Sequence, residues 1–454
     1  MTKFTAKAGM TIRASTGVQG FGAADRMSTE FLSEAMPGDR LILLDKQYYF
    51  NVATYTKGVR DEWIYAFSYP PHQCWAAYNG DLSGQSYRQE DYIFSQNCYF
   101  MVCLKRVDGG EFEPFEAEKI NEIIKLEVPP AQSRNSPFEI PQRYLSDECM
   151  TDGCEKLKAK IKKKKTGNSL CFALMADSHY TIGGTWEDTL ASIKCMHGHI
   201  GFDGVIHLGD MTDGGVTAAA TKKYAGKVIG DITSLNIPLY IAIGNHDTNY
   251  FRGNPEEFSV REQCELYLAH NDKNTVRAAA EPWYYKDFPE QKLRLCFLHS
   301  FDARRDLRYG FSPECINWQK EILKNTPVDY NIIIFSHLTL LDKLQYWAET
   351  IRGGKELAAM LNAYNDKSQP GKILAFINGH NHTDHIYNDF SFPIVSIGCA
   401  KPECFYENKP PGQFTPNRRL GDISQELWDA MVINPDEKSI SFLRFGAGED
   451  RFLY

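Results

Sequence analysis

A chain of 454 residues exceeds what one hydrophobic core usually serves and predicts two or more domains. With 43% apolar residues it is globular rather than disordered, and no apolar run approaches the ~18 to 20 residues of a membrane-spanning helix. The formal charge of −8 argues against a nucleic-acid partner held by global positive charge, and the start, Met1 to Lys7, has no apolar signal segment, so a cytoplasmic protein is expected.

Residues 1–143 read as a β-rich accessory domain. Strand signals recur at Leu41 to Leu44, Tyr48 to Tyr55, Trp63 to Phe67 and Asn97 to Leu104, the last ending in the turn signal Asp108-Gly109. Runs of this length between Gly, Pro and Asp predict a small all-β, sandwich-like domain. Trp75, Tyr78 and Tyr87 flank a Gly- and Ser-rich loop, where aromatics either pack on their own sheet or stack on sugars, so a glycan or polymer contact is one expectation. The 12 cysteines stand singly with no CxxC pair, which speaks against a zinc ribbon or a disulfide framework. Cys149 and Cys154 are the nearest candidate bridge.

Residues 144–168 form the predicted junction. Glu155 to Lys165 carries seven lysines within ten residues and is closed by the helix-stop residues Gly167 and Asn168. A basic, solvated linker helix is the expectation, with a surface for nucleic acid or an anionic polymer as the alternative.

From residue 169 to 454 the chain changes character. Five apolar strands each end abruptly in polar side chains. Leu170 to Ala176 ends in Asp177-Ser178-His179, a carboxylate and an imidazole spaced to meet at one cation. Gly204 to Leu208 runs into Gly209-Asp210, a carboxylate able to bridge two cations, with Asp213 as a supporting or capping residue. Leu239 to Ile243 runs into Gly244-Asn245-His246-Asp247, Asn331 to Phe335 into Ser336-His337, and Lys372 to Asn378 into Gly379-His380-Asn381-His382. In α/β folds the carboxyl ends of strands are where ligands bind, and two imidazoles one residue apart after a glycine are a specific metal signature.

The ordered set DSH, GD, GNHD, an isolated His and GHNH resembles the signature of the calcineurin-like metallophosphoesterase superfamily over roughly residues 169 to 400. The resemblance implies an α/β fold of two packed mixed sheets flanked by helices, with two metal ions at the strand carboxyl ends. It implies that Asp177, His179 and His382 hold one ion, that Asn245, His337 and His380 hold the other, and that Asp210 bridges them. It further implies that His246 contacts the phosphoryl group or protonates the leaving oxygen, with Asp247 orienting it. Thr339 departs from the proline that relatives often carry after the isolated His, which touches loop shape only. The mixed oxygen and nitrogen field suits Mn, Fe, Zn or Co better than Mg. Two cations about 3.5 to 4 Å apart would offset phosphate charge and acidify a bridging water for in-line attack.

Ser312 and Pro313 cap and start a further helix, and upstream Arg304, Arg305 and Arg308 are candidate contacts for an anionic substrate. Ile394 to Gly398 predicts one more strand, the loop from Lys409 to Gln413 is a candidate pocket wall, and Trp428 to Ile433 with Ile440 to Phe445 predicts a terminal hairpin. The reaction expected is hydrolysis of a phosphoric ester, by a phosphodiesterase or a phosphomonoesterase. The alternative is a catalytically vestigial surface or glycan-binding protein that retains the metal site.

Overall fold

The computed structural model describes residues 3–13, 19–57, 76–78, 87–95, 98–129, 143–180, 184–250, 254–271, 275–278, 280–302, 308–347, 350–402 and 412–454. Two mixed sheets form the centre of the larger region. Their strands are β1 (Leu170–Met175), β2 (Gly204–His207), β3 (Leu239–Ile241), β4 (Thr275–Arg277), β5 (Tyr284–Phe288), β6 (Leu293–Phe297), β7 (Asn331–Ser336), β8 (Ile373–Asn378), β9 (His385–Tyr387), β10 (Ile394–Ser396), β11 (Leu427–Asn434), β12 (Ser439–Gly446) and β13 (Arg451–Leu453). The first sheet has the order β3-β2-β1-β11-β12-β13 and the second β4-β5-β6-β7-β8-β10-β9. β1, β2 and β3 run parallel, as do β6, β7, β8 and β10, while the terminal hairpin adds antiparallel strands beside β1. This is the expected arrangement of two mixed sheets flanked by helices.

The five ligand-bearing strands are buried along their whole length, which explains why they read as unbroken apolar runs rather than alternating ones. Register then aligns their ends. Met175 pairs with His207 and His207 with Ile241, so the loops after β1, β2 and β3 leave the sheet at one level. Ser336 pairs with Asn378, which does the same for the loops after β7 and β8.

The α-helices of this larger region are α1 (Asp147–Lys164), α2 (Trp186–Ile200), α3 (Ala218–Thr233), α4 (Val260–Tyr267), α5 (Pro313–Asn325) and α6 (Gly354–Asn365), and two short ones, Pro114–Glu118 and Ile120–Ile123, lie in the N-terminal region. α5 starts as predicted, with Pro313 in its first turn and the Ser312 hydroxyl accepting from Cys315 N–H. α1 corrects the expectation of a solvated connector. It begins earlier than the lysine run, at the N-cap Ser146, and its Met150, Cys154, Leu157 and Ile161 enter the main apolar core. Those four positions recur at intervals of three or four residues and bury one stripe, leaving the lysines on the other face. Lys156 pairs with Asp152, Lys158 with Glu155 and Lys160 with Asp450. Cys149 and Cys154 both lie in α1, and the ten described cysteines are all free thiols.

The N-terminal region is β-rich and antiparallel. One sheet joins Ala6–Ala8, Met27–Thr29, Cys98–Arg106, Tyr48–Lys57 and Ala76–Tyr78, with Ser33–Ala35 also pairing on Cys98–Arg106. A second joins Ile124–Glu127, Arg40–Leu43 and Tyr92–Ile93. Between them lies a separate core that includes Phe50, Phe94, Phe100 and Leu104. The segment Trp63 to Phe67 and Trp75 lie outside the described residues, as does the side chain of Tyr78. Tyr87 is engaged internally: Arg26 lies 5.3 Å from its ring centre and its hydroxyl sits 3.4 Å from Cys103 Sγ. Nothing among the described residues supports a glycan contact here. No helix among them is long and apolar enough to cross a membrane.

Candidate metal centre

All seven predicted ligands are buried and face one point between the two sheets. Around Asp177 Oδ1, His382 Nε2 lies 3.3 Å away and His337 Nε2 4.0 Å away, and His179 Nε2 lies 3.2 Å from His382 Nε2. Around His337 Nε2, His380 Nδ1 lies at 3.1 Å, Asn245 Oδ1 at 3.2 Å and Asp210 Oδ2 at 3.2 Å. Asp210 Oδ2 is also 4.0 Å from His179 Nε2, which puts it between the two groups. Asp177, His179 and His382 form one cluster able to hold an ion, and Asp210, His337 and His380 form another.

The protons of these groups decide what the clusters can do. Leu208 O, which can only accept, sits 2.6 Å from His337 Nδ1, so that nitrogen carries a proton and Nε2 is the atom left to meet a second proton or a cation beside Asp210. Asp213 Oδ1 lies 2.6 Å from His179 Nδ1, an ion-pair contact without hydrogen-bond alignment. Asp177 Oδ1 is buried without a hydrogen-bond partner. Ring nitrogens, carboxylate oxygens and an amide oxygen thus crowd to 3.1 to 3.3 Å of one another. Two buried acceptors at that distance are unfavourable unless a proton or a cation lies between them. Burial works against charging His337, but Asp210 and Asp177 outweigh it and push its pKa up to about 9. Asp210 is desolvated as well, yet the surrounding His337, His246 and His179 hold its pKa well below the usual carboxylate range. The donor set fits divalent cations of the kind that accept imidazole and carboxylate together.

Backbone strain marks the same residues. Of the ten described non-glycine residues with positive φ, five are Asp177, His179, Asp210, His380 and His382. Side chains rarely adopt that conformation, and it persists where surrounding structure imposes it. Here the imposing contacts are tight. Gly209 has φ +92°, and a Cβ on it would come within 2.5 Å of Gly244 N, while a Cβ on Gly244 would strike the Asp210 side chain. The glycines before Asp210 and Asn245 thus let two ligand loops pass against each other.

His246 stands beside this group. Its Nδ1 is 2.7 Å from Asp213 O, so the proton is on Nδ1, and Nε2 faces the centre 3.8 Å from Asp210 Oδ2. Burial lowers its pKa. Asp247 is corrected in role: its carboxylate accepts from the N–H groups of Asp210 at 2.8 Å, Met211 at 2.9 Å and Gly244 at 3.0 Å, pinning the two loops together rather than orienting His246. His246–Thr248 is a single 3₁₀ turn, in which neighbouring side chains diverge by about 120°. Asp213 holds both His179 and His246, one through its carboxylate and one through its carbonyl.

Arg308 lies at the rim. Its guanidinium stacks 4.3 Å from the Tyr250 ring centre and 5.4 Å from that of Tyr309, and Tyr309 lies 5.8 Å from the His380 ring. Arg304 and Arg305 lie outside the described residues, as do Lys409, Pro410 and Pro411. A feature missed in the sequence is a buried ion box behind His382. Arg444 donates to Asp384 at 2.9 and 3.0 Å and to Asp429 at 2.8 Å, and Arg451 reaches Asp384 at 2.7 Å. Asp384 follows His382 by two residues, so the terminal hairpin braces the last histidine loop.

Residues 171–384 match the family model described as calcineurin-like phosphoesterase. This part of the chain is a calcineurin-like phosphoesterase domain. Membership of that family gives the class of chemistry, metal-dependent hydrolysis of phosphoric esters. No curated protein matches the sequence. Among solved structures, a dimetal phosphatase from Danio rerio is similar at 16% identity and a TM-score of 0.47, covering 63% of this chain and 98% of that one. A phosphopantetheinyl hydrolase from Mycobacterium tuberculosis is similar at 11% identity and a TM-score of 0.34, covering 52% of this chain and 91% of that one.

Proposed function

We propose that the phosphoesterase domain hydrolyses its ester at two metal ions, one held by Asp177, His179 and His382, the other by Asn245, His337 and His380, with Asp210 shared. The observation that supports this reading is the meeting of seven buried side chains, four imidazoles, two carboxylates and one amide, at the ends of five strands. When bound, such a metal pair neutralises phosphoryl charge and makes water a usable nucleophile near neutral pH. The chain's own residues supply the rest. Asp213 fixes the tautomer of His246 and pairs with His179, leaving each Nε2 aimed at the centre. His246 contacts the phosphoryl group and, once its Nε2 has taken up a proton to make the imidazolium, gives that proton to the departing oxygen and returns to the neutral ring, and Asp247 keeps the Asp210 and Asn245 loops in register. Arg308, immobilised between two tyrosines, contributes a cation at the entrance for the anionic ester.

The test is elemental analysis followed by hydrolysis of p-nitrophenyl phosphate and bis-p-nitrophenyl phosphate with Mn, the second substrate separating diesterase from monoesterase activity. His246→Ala should retain both ions and lose about 10²- to 10⁴-fold in turnover, the usual contribution of a positioned proton donor. Protein carrying two ions and inert toward both esters would refute the reading. Loss of both ions in His246→Ala would refute the role of that residue.

A further inference from the structure

The loop that leaves the proposed ligand His337 runs to an aromatic pair. Leu338, Leu340, Leu341 and Leu344 enter the apolar core shared with α5 and α6, which anchors the loop along its course, and a 3₁₀ turn spans Asp342–Leu344. Just past the turn stand Tyr346 and Trp347, their rings edge to face at 4.4 Å.

This segment is tied to the last histidine loop on both sides of His382. Asn381, between His380 and His382, is 1% exposed and has no place in the proposed ligand set. Its Nδ2 donates to Leu344 O at 2.6 Å and its Oδ1 accepts from Tyr346 N–H at 3.1 Å. Gln413 donates to the same Leu344 carbonyl at 2.8 Å and accepts from the hydroxyl of Thr383 at 2.6 Å. The backbone that presents Trp347 is thereby fixed before anything binds, and pre-organisation of that kind lowers the entropy cost of a contact.

The result is an indole set edge to face with His382, ring centres 6.2 Å apart. His382 is the most open of the seven proposed ligands at 9% exposed, and Trp347 beside it is 37% exposed. Apolar ring surface left in water beside a buried site is unfavourable, and a flat ring laid on it recovers that free energy. The rings form a row from His246 to His179 at 5.0 Å, on to His382 at 5.1 Å, and then to Trp347. His246, the proposed proton donor to the departing oxygen, and Trp347 stand at the two ends of that row. A group resting on Trp347 therefore belongs to the part of the substrate that stays on phosphorus.

We infer that Trp347 is a stacking platform for a planar aromatic or heteroaromatic group on the substituent that phosphorus retains, which makes the substrate a phosphodiester. The inference rests on the phosphoesterase reading, because the phosphoryl group must lie at the metal pair for its retained arm to reach Trp347.

Benzylphosphonate and cyclohexylmethylphosphonate resist hydrolysis, have the same reach and differ in whether the ring is flat and aromatic. Titrated calorimetrically into Mn-loaded wild type, the benzyl compound should bind about 2- to 10-fold more tightly, the range of one aromatic contact. In Trp347→Leu, with two ions retained by elemental analysis, the preference should vanish, and Trp347→Phe should restore part of it. The benzyl and cyclohexylmethyl diesters of p-nitrophenol share one leaving group, and wild type should favour the benzyl ester through KM with kcat alike. Equal binding of the two phosphonates to wild type, or a preference that survives in Trp347→Leu, would overturn the inference. So would loss of bound metal in Trp347→Leu, which would make the indole a support for His382. Equal binding alongside turnover of p-nitrophenyl phosphate would leave the hydrolase reading intact and remove only this one. A benzyl preference that depends on Trp347 in protein inert toward every ester would refute the hydrolase reading and leave the aromatic site standing.

Discussion

Both regions of the molecule bury acidic side chains, and they treat them oppositely. In the N-terminal sheets Glu116 is 5% exposed and fully met by donors: Tyr48 Oη at 2.9 Å, Arg106 at 3.0 Å and Glu113 N–H at 2.8 Å. At the strand ends of the phosphoesterase region, Asp177 and Asp210 are as deeply buried, and each has one oxygen on a single backbone N–H, from His380 at 3.1 Å and His246 at 2.8 Å, while the other faces imidazole nitrogens. Burial of a charge is therefore no sign of function by itself. The informative quantity is the balance of donors against acceptors around the charge itself, which is met at Glu116 and not at Asp177, whose Oδ1 has no hydrogen-bond donor.

The largest way to break that comparison is to neutralise the shared acid. Asp210→Asn keeps the shape and removes the charge between the clusters. Elemental analysis should show both ions depleted, and ester hydrolysis should fall by about 10²- to 10³-fold or more, as when one electrostatic stabiliser is removed. The matching change Glu116→Gln in the N-terminal region should leave metal content and hydrolysis as they are. An Asp210→Asn protein that is loaded and active would erase the distinction between the regions.

The ion box behind His382 sharpens the comparison, because it is a donor-balanced site within the phosphoesterase region itself. Two arginines meet two aspartates, and Arg444 is 3% exposed. Arg444→Met leaves Asp384 and Asp429 buried without their main partner, a change expected to cost about 3–5 kcal/mol of stability. Urea denaturation measures that loss. The same variant should lose the ion held with His382 before the one held with His337, which metal stoichiometry resolves. Equal retention of both ions would separate the box from the metal centre.

The candidate metal centre was legible in the sequence as a cluster because each proposed ligand lies within a few residues of the end of an unbroken apolar strand. Strand direction and register then bring five such ends together without further information. What was not legible depends on contacts between distant segments. Asp247 reads as the partner of His246 because it is adjacent, but the 3₁₀ turn sends the two side chains apart, and the true partner is a backbone carbonyl at Asp213. Arg444 and Asp384 are 60 residues apart. The helix Asp147–Lys164 misled because its lysines dominate the composition while four apolar residues decide its place.

Glu426 lies between the two extremes and gives the smallest effect. It is fully buried and receives hydrogen bonds from neutral groups, Thr189 and Gln425, with the Asp188 carboxylate nearby. Burial foremost, then Asp188, raises its pKa from the ordinary 4.5 to about 7 against those two hydrogen bonds. Between these values the folded chain keeps a proton that the unfolded chain has released. Stability is therefore highest, as far as this group is concerned, below about pH 4.5, and it falls as pH rises to about 7, by up to about 3 kcal/mol. Glu426→Gln removes the proton and with it this slope. The urea midpoint of wild type relative to Glu426→Gln should drop between pH 5 and pH 8. A constant difference across that range would mean that Glu426 is already ionised in the fold, and that neutral donors can hold a buried carboxylate here as well as the arginine does for Glu116.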